Sequence, residues 1–113
     1  MSVKQISDQE ILSMYLNYES MEKGLSQNTL ESYRRDIVIY LDFLGRNKKT
    51  ILKATRKDIE KFLSERKEQG SKSRTVARNK VSIVNLYKFL VMENYISKNP
   101  TDNLEVIRLK RVL

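Results

Sequence analysis

The sequence has no cysteine, no histidine and no tryptophan, one proline and only three glycines. Without cysteine there are no disulfides and no thiolate metal sites. Without histidine as well, most metal chemistry and the usual nucleophile–base pairs lack their parts, and three scattered glycines make no phosphate cradle. Carboxylate-only schemes stay open in principle, but the acidic residues sit singly on helix surfaces. Neither catalysis by this chain nor a metal or cofactor is therefore expected. No apolar run approaches the ~20 residues that a membrane span needs, and no leader resembles a signal peptide. No membrane partner is expected, and a cytoplasmic location is compatible with the absence of cysteine.

What is present is positive charge. The 113 residues suffice for one domain with a modest core. Lysine and arginine number 22 against 14 acidic residues, for a net charge of +8. The excess is uneven. Residues 46–57 carry Arg46, Lys48, Lys49, Lys53, Arg56 and Lys57 with no acid, and residues 70–92 are also acid-free. Such asymmetry implies one basic face, for which a nucleic-acid backbone is the leading partner.

The stretch from Gly70 to Asn94 reads as one helix with two halves. Its head carries Lys72, Arg74, Arg78 and Lys80 among Ser71, Ser73, Thr75 and Asn79. Its tail is apolar, and Val76, Ile83, Tyr87 and Leu90 form a stripe that needs a core. Arg74 and Arg78 lie four apart on the other side.

Three helices are predicted before it. Asp8 is the expected cap of the first, with Ile11, Leu12, Tyr15, Tyr18 and Met21 on its apolar side and Gly24 at its end. Ser26 caps the second, which runs to about Gly45 with Leu30, Tyr33, Ile37, Leu41 and Leu44 inward. Ile39 and Phe43 are expected to face outward. Ile51 and Leu52 tuck under the bundle, and Thr55 with Asp58 boxes the start of a third helix that turns Ile59, Phe62 and Leu63 inward. Asn99–Pro100 marks a turn, after which a short fifth helix is expected from Thr101–Asp102 through Leu104. No β-period is found, so the fold class is all-α.

Three pieces in order carry a family resemblance. GLSQNTLESYRRDIVIYLDFL is similar to the second helix, and SKSRTVARNKVSIVNLYKFL to the fourth helix, of the N-terminal core-type DNA-binding domain of tyrosine recombinases, the phage integrase and Xer-type family. ISKNPTDNLEVIRLKRVL resembles that domain's exit segment. The resemblance implies a four- to five-helix orthogonal, SAM-like bundle over residues 1–104, with 105–113 beginning a linker to a catalytic domain that this sequence lacks. It also implies that the second and fourth helices approach one half-site of double-stranded DNA, alongside other recombinase subunits in a synaptic complex. Carried over by position, the DNA-contact candidates are Asn28, Thr29, Tyr33, Arg34 and Arg35, then Ser73, Arg74, Thr75, Arg78 and Asn79. The family's catalytic residues lie downstream, so no catalytic residue is assigned to this chain. Relatives often carry an apolar residue where this chain has Lys80.

Simpler readings stand beside these. Arg34 and Arg35 can pair with Glu31 and Asp36 on their own helix, and Asn28 and Thr29 can simply complete a cap. The alternative function is a helical protein–protein interaction module that docks through an Ile39/Phe43 patch and the EVIRLKRVL tail. The DNA reading requires the two helix starts to share one side and to stay clear of internal carboxylates.

Overall fold

The computed structural model describes residues 6–102 and 104. Its elements are α1 (Asp8–Lys23), α2 (Gln27–Arg46), a single 3-10 turn (Ile51–Lys53), α3 (Arg56–Glu68) and α4 (Ser73–Met92). There is no strand among the described residues, and the chain is an all-α bundle. Thr101 and Asp102 lie in a turn, and Asn99 Oδ1 accepts from the Thr101 amide at 2.8 Å. The rest of the expected fifth helix, apart from Leu104, lies outside the described residues, as does the 105–113 segment.

Local signals set most helix ends. α1 is capped by Ser7, not Asp8: the Ser7 hydroxyl accepts from the Glu10 amide and the Glu10 carboxylate accepts from the Ser7 amide. A glutamate three residues past Ser7 completes a reciprocal box that Asp8 could not form. Asp8 instead accepts from the Ile51 amide at 3.1 Å, tying α1 to the 3-10 turn. Gly24 ends α1 with φ +59°, a conformation that favours glycine. Ser26 caps α2 and Thr55 with Asp58 boxes α3, both as the sequence predicts. Burial would raise the Asp58 carboxyl, but hydrogen bonds from Thr55 and the Lys49 ammonium outweigh it and hold the group below the usual range.

α2 is the central helix and packs on all three others. Asp36, Ile37, Tyr40, Phe43 and Leu44 are its buried residues, a wider face than one stripe. Phe43 is 1% exposed and meets Phe62 at 5.3 Å, while Ile39 is half-buried against the core. The outward Ile39/Phe43 patch therefore does not exist, because a helix with neighbours on three sides has little outward face left. Met21, expected inward on α1, is 74% exposed. Burial follows Ile11, Tyr15 and Glu19 at four-residue steps instead. Glu19 is thus interior, with no hydrogen-bond partner for its carboxylate among the described residues and Lys23 Nζ 3.7 Å away.

Two polar cross-links join α2 to α4. Asp36 meets Arg78, Asn79 and Ser82, and four residues later Tyr40 meets Tyr87. The Asp36 cluster thus joins α2 to the first half of α4, and the Tyr40 bridge joins it to the second half. Tyr87 donates to the Ile51 carbonyl at 2.8 Å, which leaves its oxygen to accept from Tyr40, also at 2.8 Å. Burial pushes both phenols well above the ordinary tyrosine range.

Candidate nucleic-acid interface

Both helix beginnings lie within about two turns of the Asp36–Arg78 bridge. Thr29 precedes Asp36 by about two turns, ~10 Å, and Arg74 precedes Arg78 by about one turn, ~6 Å. Neither helix has an acid in its first turn.

The two starts are finished differently. At α2, the Ser26 hydroxyl accepts from the Thr29 amide at 3.2 Å and donates to Thr29 Oγ1 at 3.0 Å. Thr29 therefore serves the cap, as the simpler reading had it, and Asn28 stands exposed beside it. Tyr33 is half-buried and stacked on Tyr15, with ring centroids 6.5 Å apart. Arg34 pairs with Glu31, whose carboxyl its hydrogen bond and charge hold below the usual range. Arg35 is exposed and has no carboxylate within ion-pair distance among the described residues. Asp36 pairs with neither arginine, because it lies on the face of Ile37 and Tyr40 and points into the bundle.

At α4, the cap position is Lys72, and no side chain caps the first amides. Ser73 and Arg74 are exposed and Thr75 is half-buried. Neither Lys72 nor Arg74 has a carboxylate within ion-pair distance among the described residues. Two cations at the positive end of a helix dipole, with open amides between them, form an unfavourable arrangement that an anion would relieve. Lys72 belongs with the contact candidates, although the sequence showed it only as one of the cations in the head of this helix. Its place at the cap depends on where the helix begins, at Ser73, inside the stretch that the pattern reads as starting at Gly70.

Arg78 and Asn79 are placed otherwise than the sequence suggests. Arg78 donates from Nε to Asp36 Oδ2 at 3.0 Å and from Nη2 to Oδ1 at 2.8 Å. These bonds hold its guanidinium above its already high range. It is engaged with an internal carboxylate, so the condition on the DNA reading fails at Arg78 and holds at Arg74. Asn79 is fully buried, donates to Asp36 Oδ1 at 2.8 Å and accepts from Arg66 Nε at 3.2 Å. With no exposed surface it cannot reach a phosphate, and it leaves the contact set.

Lys80 donates to the Leu104 carbonyl at 2.9 Å, joining the middle of α4 to the turn that follows it. The basic 46–57 stretch lies at the other end of α2, where Arg46, Lys49 and Arg56 are each ion-paired. Among the described residues no acidic cluster is placed to hold a metal ion, and no helix is long and apolar enough to cross a membrane.

Comparison with known proteins agrees with this architecture. The family described as phage integrase, N-terminal SAM-like domain matches residues 12–94. The tyrosine recombinase XerD of Oceanobacillus iheyensis is 36% identical over 101 residues, covering 88% of this chain and 34% of that protein. The XerD of Staphylococcus epidermidis is 35% identical over 104 residues, covering 91% and 35%. The tyrosine recombinase XerC of Herpetosiphon aurantiacus is 32% identical over 106 residues, covering 93% and 35%. The chain thus spans about a third of the length of these relatives. No solved structure matches it at a significant level. By the family match and by these relatives, the chain belongs to the phage integrase N-terminal SAM-like domains, whose Xer-type members are tyrosine recombinases.

Proposed function

We propose that this chain is the DNA-binding part of a site-specific tyrosine recombinase and positions that enzyme on its recombination half-site for strand exchange. Its partners are double-stranded DNA and the other recombinase subunits of a synaptic complex, in the cytoplasm. Residues 105–113 then lead toward the catalytic domain.

The observation that carries this reading is the start of α4. Among the described residues, Lys72 and Arg74 stand there without carboxylate partners or a side-chain cap, about a turn before the Arg78 that bridges to Asp36, the neighbour of Arg35 on α2. Phosphate oxygens are the acceptors that such a surface lacks, and contacts of this kind fix a protein's register on a duplex without reading bases. Asn28, Thr29, Ser73 and Thr75 supply neutral donors around the cations. Tyr33, half-buried, shapes the surface more than it reaches from it.

Fluorescence anisotropy with a labelled duplex at several salt concentrations tests the reading. If Arg35, Lys72 and Arg74 each meet a phosphate, log K falls against log[salt] with a slope of about −2.7. Binding that is absent, or indifferent to salt, overturns it. The competing reading, a protein-docking module, loses its Ile39/Phe43 patch because Phe43 lies in the core, and its EVIRLKRVL tail lies outside the described residues.

A further inference from the structure

We infer that Asp36 is a positioning residue: from beneath the surface it aims Arg78 at the duplex as an oriented donor. The inference rests on the DNA-binding reading above and adds a residue to it. Asp36 contributes no exposed side-chain atom. Its side chain is 0% exposed while that of Arg78 is 41% exposed, so the accessible part of the pair belongs to the arginine.

The carboxylate is filled. Oδ1 accepts from Arg78 Nη2 and Asn79 Nδ2, both at 2.8 Å, and Oδ2 accepts from Arg78 Nε at 3.0 Å and Ser82 Oγ at 2.7 Å. Four donors use the roughly four lone-pair sites that a carboxylate offers, so it has no freedom to turn. Asn79 is held in its turn by Arg66 of α3. The direction of the Arg78 guanidinium is therefore set from three helices.

The pair is formally neutral, so Arg78 adds little to the net positive field. What it adds is geometry. A guanidinium has five N–H donors, and Asp36 takes one from Nε and one from Nη2. Both donors of Nη1 and the second of Nη2 remain, on the edge turned away from the carboxylate. That edge matches a pair of phosphate oxygens, and an ammonium in its place would not.

The simplest competing account is that the Asp36–Arg78 pair only stabilises the bundle. Anisotropy titrations on Arg78→Lys and Asp36→Asn, with melting followed by circular dichroism, separate the two. Arg78→Lys keeps the charge, so the salt slope should hold while affinity falls by about fivefold to tenfold. Asp36→Asn removes one negative charge and takes the net charge from +8 to +9. By charge alone it should bind DNA more tightly; by positioning it should bind more weakly, by a similar factor.

Should Asp36→Asn not fold, Ser82→Ala replaces it, since it removes one donor to the carboxylate without altering charge. The expected loss is then about twofold to threefold. Lowered melting temperatures with wild-type affinity in the folded range, or tighter binding by Asp36→Asn, would overturn the positioning role and leave the domain's function standing. A wild-type chain that binds no DNA would overturn both.

Discussion

The beginnings of α2 and α4 both lie close to the Asp36–Arg78 bridge and have a similar composition, yet they differ in what is left for a partner. The α2 start is largely self-satisfied: Ser26 fills the cap and Glu31 occupies Arg34. The α4 start is not, since Lys72 and Arg74 surround amides that no side chain caps. The contrast shows that counting cations in a sequence overstates a binding surface. What matters is which of them the fold has already used.

The largest expected effect comes from removing a buried cross-link between the two helices. Tyr87→Phe leaves the Ile51 carbonyl and the Tyr40 hydroxyl without their partner. It should lower unfolding stability by about 2 kcal/mol in urea denaturation. The same bonds predict an alkaline limit. These phenols ionise less readily folded than unfolded, so their contribution is complete below pH ~10 and is lost as pH rises toward their elevated folded values. A stability–pH series that stays flat above that point would contradict the burial argument.

Next is Arg74→Glu, which should weaken duplex binding by about tenfold or more and shrink the salt slope by about one unit. A third experiment sets the two caps against each other. Ser26→Ala should cost about 1 kcal/mol of stability with little change in DNA affinity. Lys72→Ser supplies the missing cap, so it should raise stability by a few tenths to ~1 kcal/mol and still weaken DNA binding. Opposite signs for stability and affinity in that one variant would be the sharpest support for the contrast. The smallest effect is expected from Arg34→Gln, less than about threefold in affinity, because Glu31 already offsets that charge.

Much of the fold was legible because its signals are local. Ser26, the Thr55/Asp58 box and Gly24 each act within a turn of the helix ends they define, and the α3 face of Ile59 and Phe62 follows from period alone. The errors arose where tertiary packing decides. Phe43 looked exposed on a one-sided wheel, but α2 has three neighbours. Asp36 looked like a partner for its neighbours in sequence, but it answers residues 42 to 46 positions away. An acid on the face of Ile37 and Tyr40 was the available clue. At the site, Arg74 reads correctly as an exposed cation, whereas Asn79 cannot be distinguished from a surface amide until the depth of α4 in the bundle is known.

The 42-residue separation between Asp36 and Arg78 also bears on how the molecule assembles. Neither helix can form this bridge alone, and the loop closing it must include all of α3. The surface that α2 and α4 share should then appear late in folding, together with the closed core. In hydrogen exchange, the α4 amides near Ser82 should open only with global unfolding, while those of the first α4 turn exchange freely.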